Sequence, residues 1–516
     1  MEIDPHNLPK EAGILRQIVL QLLGVVEEQD RLLERVQHQL QQLLRQRYGP
    51  KRERIDENQL FLFAAQIIAA ARQAKAAEPG AQGSGASGTT RRVHGKGHGR
   101  KPLPASLERR RVVFDLEEAQ RQCRDCQKSM QRIGEDVSER LEFVPASLHV
   151  IEEVRPKYAC VRGCGVVAAP KPAAAIEKGL PGPGLLAQVA VSKYGDHLPL
   201  YRLEGIFRRQ GVELSRQTMC DWMGACAELV SPVRERMKQV MLTSKAVQTD
   251  DTPVPVLDAE LTRTRTGRIW TYVGDRNHPY IVYDYTGNRR GQGPAEFLRS
   301  YRGYLQADAY PGYDAMFKNR YGELIEVLCW AHVRRYFYEA QAKDVARATV
   351  VLAYVGLLYD VEREARDCHL NADQRLALRQ ARSRPILEDI KNYLEAEKPK
   401  VLPKSLMEDA IDYTLKSWTA LLCYCQDGDL EIDNNGAERS LRSIVIGRKN
   451  WLFYGSDAGG RTGAVLSTLI ASCTRQLIDP FAYLRDLFAR IAAHPQNQLD
   501  ELLPDRWQLA HSSAQP

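Results

Sequence analysis

From Lys245 onward the chain changes its hydrophobic period, and that change limits the folds open to it more than any other feature. Val247 to Leu257, Arg268 to Gly274 and Tyr280 to Tyr285 read as successive strands, rich in β-branched and aromatic residues and separated by turn-forming stretches. A helix through Phe297, a strand from Gly303 to Asp308 and the apolar run Ile325-Glu326-Val327-Leu328-Cys329-Trp330 follow, the last leading into a long helix. A meander of three strands and then strand–helix units describe an RNase H-like α/β fold, whose adjacent strands would set Asp250 beside Asp308. From Arg335 to about Asp429 the pattern is nearly all helical, too long a stretch for a loop, so a helical insertion at 336–430 is expected before Glu438.

Three carboxylates stand in pointed settings on this frame. Asp250 and Asp308 each close an apolar run, and an Asp closing a buried strand must be paired or metal-bound to offset its desolvation. Glu438 lies in Ile432-Asp433-Asn434-Asn435-Gly436-Ala437-Glu438-Arg439-Ser440-Leu441-Arg442, where Asp433 to Gly436 read as a turn or N-cap and Glu438 projects from the first helical turn. Acids at strand ends, joined by one from a helix, can hold two divalent metals about 4 Å apart for in-line phosphoryl displacement. Magnesium, or manganese, suits such hard oxygen ligands. The plainer reading of any one of the 65 Asp and Glu residues is a solvated surface charge. After Glu438, the basic Arg439, Arg442, Arg448 and Lys449 are interleaved with Trp451, Phe453 and Tyr454, which suits DNA beside the metals; the alternative is a solvated face over core aromatics.

The N-terminal half divides by composition. Residues 14 to 47 place Ile18, Leu22, Val25, Gln29, Leu32, Val36, Gln39 and Leu43 at alternating spacings of four and three, a coiled-coil seam within 1–47 or, alternatively, a lone amphipathic helix. Residues 48–106 read as a basic flexible linker: Ala76 to Thr90 is rich in Gly, Ala and Ser, and the arm from Arg91 to Arg111 carries eight Lys and Arg against Glu108. In 107–175, Cys123, Cys126, Cys160 and Cys164 have the paired spacing of one closed structural zinc site, with isolated buried thiols as the alternative. Strand-like Leu148-His149-Val150-Ile151 lies between the two pairs. Residues 181–235 then read as a helix-turn-helix: a helix from Pro199 to Phe207, a turn at Gly211 to Leu214, and a second helix from Ser215 through Trp222. Its first turn would offer Arg216, Gln217 and Thr218 to DNA, although such pairs also occur as plain structure. The catalytic domain spans 240–455, and 456–516 forms a C-terminal helical segment.

The net charge of +7, concentrated locally, suits a polyanionic partner better than a small acidic substrate. No apolar run approaches the roughly 18 residues of a spanning helix, so no membrane role and a cytoplasmic location are expected. The eleven cysteines fit a reducing compartment with one metal site better than a disulfide framework.

In combination, these motifs resemble the large transposase subunit of the insertion sequence 66 family, a bacterial transposase with a DDE core. Asp250-Asp251-Thr252-Pro253-Val254 is similar to the family's first motif, with Asp251 where Glu is commoner. Asp308-Ala309-Tyr310-Pro311-Gly312-Tyr313 resembles its second and Asn434-Asn435-Gly436-Ala437-Glu438-Arg439 its third, while Cys329-Trp330-Ala331-His332-Val333-Arg334-Arg335 matches a further signature. The resemblance covers most of the chain. It implies Asp250, Asp308 and Glu438 as the metal-binding triad, zinc on the four cysteines, and a homo-oligomer joined through the N-terminal segment. It further implies cleavage of insertion-element ends and strand transfer into target double-stranded DNA, near the nucleoid and with accessory element-encoded proteins. A nuclease that cuts without joining and a DNA-binding regulator with an inactive core are the competing functions.

Overall fold

A computed structural model of the chain describes residues 181–258, 260 and 263–512, with short pieces at 148, 150–151, 157–159, 166–168 and 173–176. The coiled-coil seam, the basic linker and Cys123, Cys126, Cys160 and Cys164 lie outside the described residues. Residues 78–169 form a unit separate from the one that holds 170–516. In the smaller unit β1 (Lys157–Ala159) pairs antiparallel with β2 (Val166–Ala168). The strand expected at 148–151 does not form at its described positions: Val150 and Ile151 lie in no regular element, exposed and without a sheet partner.

The larger unit opens with α1 (Pro183–Ala190), started by a proline at its first turn, and α2 (Leu200–Arg209). Gly211, at φ +82°, takes the left-handed turn that a side chain would strain. Ser215 Oγ then accepts from the Thr218 N–H at 3.1 Å and caps α3 (Arg216–Met241). Rather than ending near Trp222, α3 runs for 26 residues, because Met219, Trp222, Met223, Cys226, Val230, Val233, Met237 and Met241 keep burying one face. Those side chains share one hydrophobic core with Val247, Trp270 and Tyr272 of the sheet and with Leu466, Tyr483 and Leu487 near the C-terminus. The boundaries expected near 235–240 and 455–456 therefore fall inside a continuous core.

The sheet holds β3 (Ala246–Val256), β4 (Arg265–Val273), β5 (Ile281–Thr286), β6 (Gly303–Ala307) and β7 (Leu324–Leu328), ordered β5-β4-β3-β6-β7. The first three are antiparallel neighbours, while β6 and β7 run parallel to β3. Helices α4 (Gln292–Phe297) and α5 (Asp314–Asn319) lie in the two crossovers. Pairing of β3 with β6 stops at Gln248, which leaves an open side farther along β3. Pro253 and Pro255 sit there, where a missing N–H breaks no ladder. Their carbonyls accept instead, from Arg448 and from the Tyr454 N–H, the latter at 2.9 Å.

The expected helical insertion forms as α6 (Trp330–Gln341), α7 (Val345–Asp367), α8 (Ala372–Leu378), α9 (Arg384–Glu397), α10 (Leu406–Lys416) and α11 (Trp418–Leu422). It builds a second core with Val327 and Leu328 of β7. The chain then returns through α12 (Asn435–Trp451), α13 (Asp457–Arg475), α14 (Pro480–Arg490) and α15 (Pro504–Ser512). Inside the insertion Arg379 is fully buried and gives both Glu362 oxygens hydrogen bonds of 2.7 and 2.8 Å. It also donates to the Tyr424, Asp427 and Leu430 carbonyls at 2.7 to 2.9 Å, fixing the segment that leads back to α12. Arg375 also donates to Glu362 Oε2, at 2.6 and 2.9 Å, so Arg379→Met leaves Glu362 Oε1 and three carbonyls without their donor and should lower stability by about 3 kcal/mol in urea denaturation. A loss under about 1 kcal/mol would show that the network does not hold this segment.

Candidate active site

The parallel register pairs Gln248 with Gln306, so two residues farther along, Asp250 on β3 comes level with Asp308, just past β6. The third carboxylate must arrive from beyond the insertion, and two glutamines dock its carrier. Gln248 Nε2 donates to Gln306 Oε1 and to the Asp433 carbonyl, each at 3.1 Å, and Gln306 Nε2 donates to the Glu431 carbonyl at 2.7 Å. Asn434 is fully buried; its side-chain amide donates to the Thr249 carbonyl at 3.2 Å instead of capping α12. Asp433 takes over the cap-like role, accepting from the Asn435 N–H at 3.1 Å while Tyr359 donates to it at 2.9 Å. Gly436 is required by this approach, since a Cβ there would stand 2.3 Å from Gln248 Oε1. Thr271 and Ser440 hydroxyls meet at 2.7 Å, and Tyr283 donates to the Ser440 carbonyl at 2.7 Å, so α12 lies on the Asp250 face of the sheet.

Glu438, in the first turn of α12, thereby joins Asp250 and Asp308 at one end of the sheet. Burial pushes the Asp250 carboxyl up to about 7; the Asp308 and Glu438 charges add to the rise, and a hydrogen bond from the Asp251 N–H opposes it. No cation pairs with Asp250 among the described residues. Burial also raises Asp308, against the pull of His332 and Arg289. His332 Nε2 lies 3.8 Å from Glu438 Oε1, and its Nδ1 is buried without a hydrogen-bond partner. As they stand, no three His, Cys, Asp or Glu side chains among the described residues close on a single ion position. The donor set nevertheless fits a divalent cation: hard carboxylate oxygens, one of them uncompensated and repelled by its neighbours.

The neighbouring acid behaves differently. Asp251, opposite Trp270 on the other face of β3, is paired with Arg268 and Arg289. Its turn away from Asp250 fits strand alternation, but Arg289 also reaches to 3.9 Å from Asp308, so Asp251 is connected to the site. Sequence reasoning missed Gln248, Gln306, Arg268 and Arg289; only the doubled acid at 250–251 hinted at a second partner set.

Of the expected DNA contacts, Arg439, Arg442 and Lys449 are exposed along α12, and Arg439 lines a cleft of about 1210 Å³ with Arg276 and Arg366. Arg448 turns inward to Thr252 Oγ1 at 3.1 Å and to the Pro253 carbonyl. Trp451 packs over Gly447 and near Tyr194, and Tyr454 is buried, which leaves Phe453 as the exposed member of the three aromatics. On α3, Arg216 and Gln217 are exposed, but Gln217 pairs with Asp221 at 2.8 Å and the Thr218 hydroxyl meets Ser215 Oγ at 2.9 Å. Among the described residues no helix is long and apolar enough to cross a membrane.

The raised Asp250 carboxyl has a consequence for stability. The unfolded chain releases this proton near the ordinary value of 3.8, the folded chain only near 7, so stability falls as pH rises from about 4 to about 7 and stays lower above. Asp250→Asn removes the buried charge and should stabilise the protein without divalent cations by on the order of 2 kcal/mol at pH 8, and by almost nothing at pH 4. Urea denaturation at the two pH values measures this; equal gains at both, or a loss at pH 8, would refute the burial of an uncompensated charge.

Comparison with known proteins agrees with these features across the chain. The description "Transposase IS66 family" matches residues 178–462, which hold all three carboxylates and the insertion. The zinc-finger binding domain of transposase IS66 matches 120–165, around the four cysteines, and the IS66 C-terminal element matches 468–504. A further match, "Transposase C of IS166 homeodomain", covers 35–112, from within the seam through the stretch expected to be a linker. Among full-length relatives, Uncharacterized protein y4hP of Sinorhizobium fredii (strain NBRC 101917 / NGR234) is 35% identical over 499 residues, covering 92% of this chain and 89% of that one. Uncharacterized protein y4jD of the same organism is 36% identical over 420 residues, 78% of this chain and 81% of its own. With one family description spanning the whole carboxylate-bearing core and three more flanking it in order, the chain belongs to the IS66 transposase family.

Proposed function

We propose that the protein is a DDE transposase with an RNase H-like core, which cleaves the ends of its insertion element and joins them to target DNA. The observation that carries this reading is the convergence of Asp250, Asp308 and Glu438, from a central strand, its parallel neighbour and a returning helix, on one end of the sheet. The strand order, three antiparallel and two parallel, supports the RNase H-like assignment.

Asp250, Asp308 and Glu438 are the residues that would hold two magnesium or manganese ions. Bound there, the ions would lower the charge of a phosphodiester and activate the attacking hydroxyl. In cleavage, a water oxygen bonds to phosphorus and the 3′-oxygen leaves as a hydroxyl; in joining, that 3′-hydroxyl attacks a target phosphodiester and the target's own 3′-oxygen leaves. The chain's part is to hold the acids in register: Gln248, Gln306 and Asn434 fix α12 against β3 and β6. Arg439, Arg442 and Lys449 offer exposed charge for phosphates along the same helix, and Arg216 at the start of α3 offers another contact. Inward-turned Arg448, by contrast, secures α12 to β3. The four cysteines supply a structural zinc, and the N-terminal seam joins copies of the chain so that two element ends are held together.

Glu438→Gln keeps size and hydrogen bonding but removes a charge, so end cleavage and strand transfer should fall by several orders of magnitude while gel-shift affinity for element ends changes little at fixed salt. Near-native joining by this variant would exclude Glu438 from the chemistry; cleavage without joining by the unmodified chain would make it a nuclease. For the zinc, metal analysis of the full-length protein purified under reducing conditions should give close to one zinc per chain, lost in the Cys123→Ser, Cys126→Ser variant. A zinc-free unmodified protein would refute the four-cysteine site.

A further inference from the structure

Asp251 has partners that the three carboxylates do not explain. Its side chain is 3% exposed and takes a hydrogen bond from Arg268 Nη1 at 2.8 Å and two from Arg289, Nη2 at 3.0 Å and Nε at 3.1 Å. Arg268, a neighbour on β4, suffices to pair a buried Asp. Arg289 comes from the loop after β5 and extends across Asp251 until Nη2 lies 3.9 Å from Asp308 Oδ2.

That reach is built in. The Arg289 guanidinium stacks on the Tyr310 ring at 4.2 Å, and the Tyr310 hydroxyl donates to the Arg289 carbonyl. Two glycines let the loop settle on the turn after Asp308: a Cβ on Gly291 would stand 2.1 Å from the Gly312 carbonyl oxygen, and one on Gly312 2.1 Å from the Tyr310 ring. The guanidinium is thus gripped by an acid and an aromatic face. Even so, its side chain is 41% exposed, and Nη1 has no partner among the described residues. A guanidinium held rigid at the edge, with donors free toward solvent, is suited to a phosphate oxygen.

Electrostatics points the same way. DNA approaching Asp250, Asp308 and Glu438 meets three carboxylates, and a fixed cation beside them lessens that repulsion. We infer that Arg289 binds a DNA phosphate next to the carboxylate trio and that Asp251 is the positioning residue that holds it there. The inference rests on the reading of that trio as the site of DNA chemistry. The second acid of the Asp250-Asp251 pair and the tyrosine of the Asp308 turn then share one role, which is to aim Arg289.

The test uses the full-length protein and element-end duplexes in which single phosphates near the cleavage position are replaced by neutral methylphosphonates, with binding followed by gel shift across a salt series. The unmodified protein should lose several-fold in affinity at one phosphate or two adjacent ones. Arg289→Gln should lose a similar factor on ordinary DNA and nothing more when that phosphate is already neutral, and its log affinity against log salt should flatten by about 0.9. Arg289→Lys should keep most of the slope, and Asp251→Asn should weaken binding at the same phosphate. Wild-type affinity and slope in Arg289→Gln, or losses that add in full on the neutralised DNA, would overturn the inference. So would equal losses in the Lys and Gln variants accompanied by a lowered melting temperature, which would make the residue structural. Failure of the unmodified chain to bind or process element ends would instead overturn the functional reading, and this inference with it.

Discussion

The structure depends on one docking contact, the seating of residues 431–436 against β3 and β6. Two of the three acids are delivered by adjacent strands and need nothing beyond sheet register. The third arrives only after six helices, and an error in their packing would pass directly to Glu438. The amides of Gln248 and Gln306 bind the incoming backbone at fixed positions, the Asn434 amide reaches back to the Thr249 carbonyl of β3, and the glycine at 436 lets the segment come close enough. Upstream, Arg379 holds the Tyr424, Asp427 and Leu430 carbonyls to the insertion's own core. A buried polar network of this kind favours one arrangement over others because any slip leaves several groups unpaired at once.

The same region shows how adjacent acids acquire opposite characters. Asp250 and Asp251 share a strand, but alternation sends them to opposite faces. Asp251 finds two guanidiniums, which pair its buried carboxylate. Asp250 finds only other acids, and burial lifts it toward neutrality. A buried carboxylate without a countercharge costs stability, which is why such shifted groups gather at functional sites more often than in plain cores.

The sheet was readable in the sequence because its strands alternate or run apolar between turn residues, and its helical insertion because the span between Asp308 and Glu438 has no other compact solution. The ends of elements were less readable. Nothing around Trp222 says that α3 continues to Met241, since a helix carrying Pro232 and scattered charge is sustained by the core it enters rather than by local propensity. Asp433 and Asn434 look equally fit to cap a helix, and only tertiary contact with Thr249 sends Asn434 inward. Trp451, Phe453 and Tyr454 are alike on paper; packing buries Tyr454 and leaves Phe453 out. Arg268 and Arg289 lie 17 and 38 residues from Asp251, and no local pattern links them.

The length of α3 also bears on how recognition and chemistry could be coupled. At about 1.5 Å per residue, 26 residues make a rod of roughly 40 Å. Arg216 stands at its exposed start, while farther along Arg234 donates to the Tyr283 carbonyl at 2.7 Å and pairs with Asp284 at 3.3 Å, which locks the helix to β5. A helix-turn-helix on a flexible linker would leave the distance from its first turn to the carboxylates free to vary. Here the second helix of the expected pair is itself a core element, packed against α13 and the sheet. The exposed start of α3 and the strand that carries Asp250 are thus tied through one continuous core, and a change within it, such as at Val230 or Val233, would loosen the helix from the sheet without touching an exposed residue or a carboxylate.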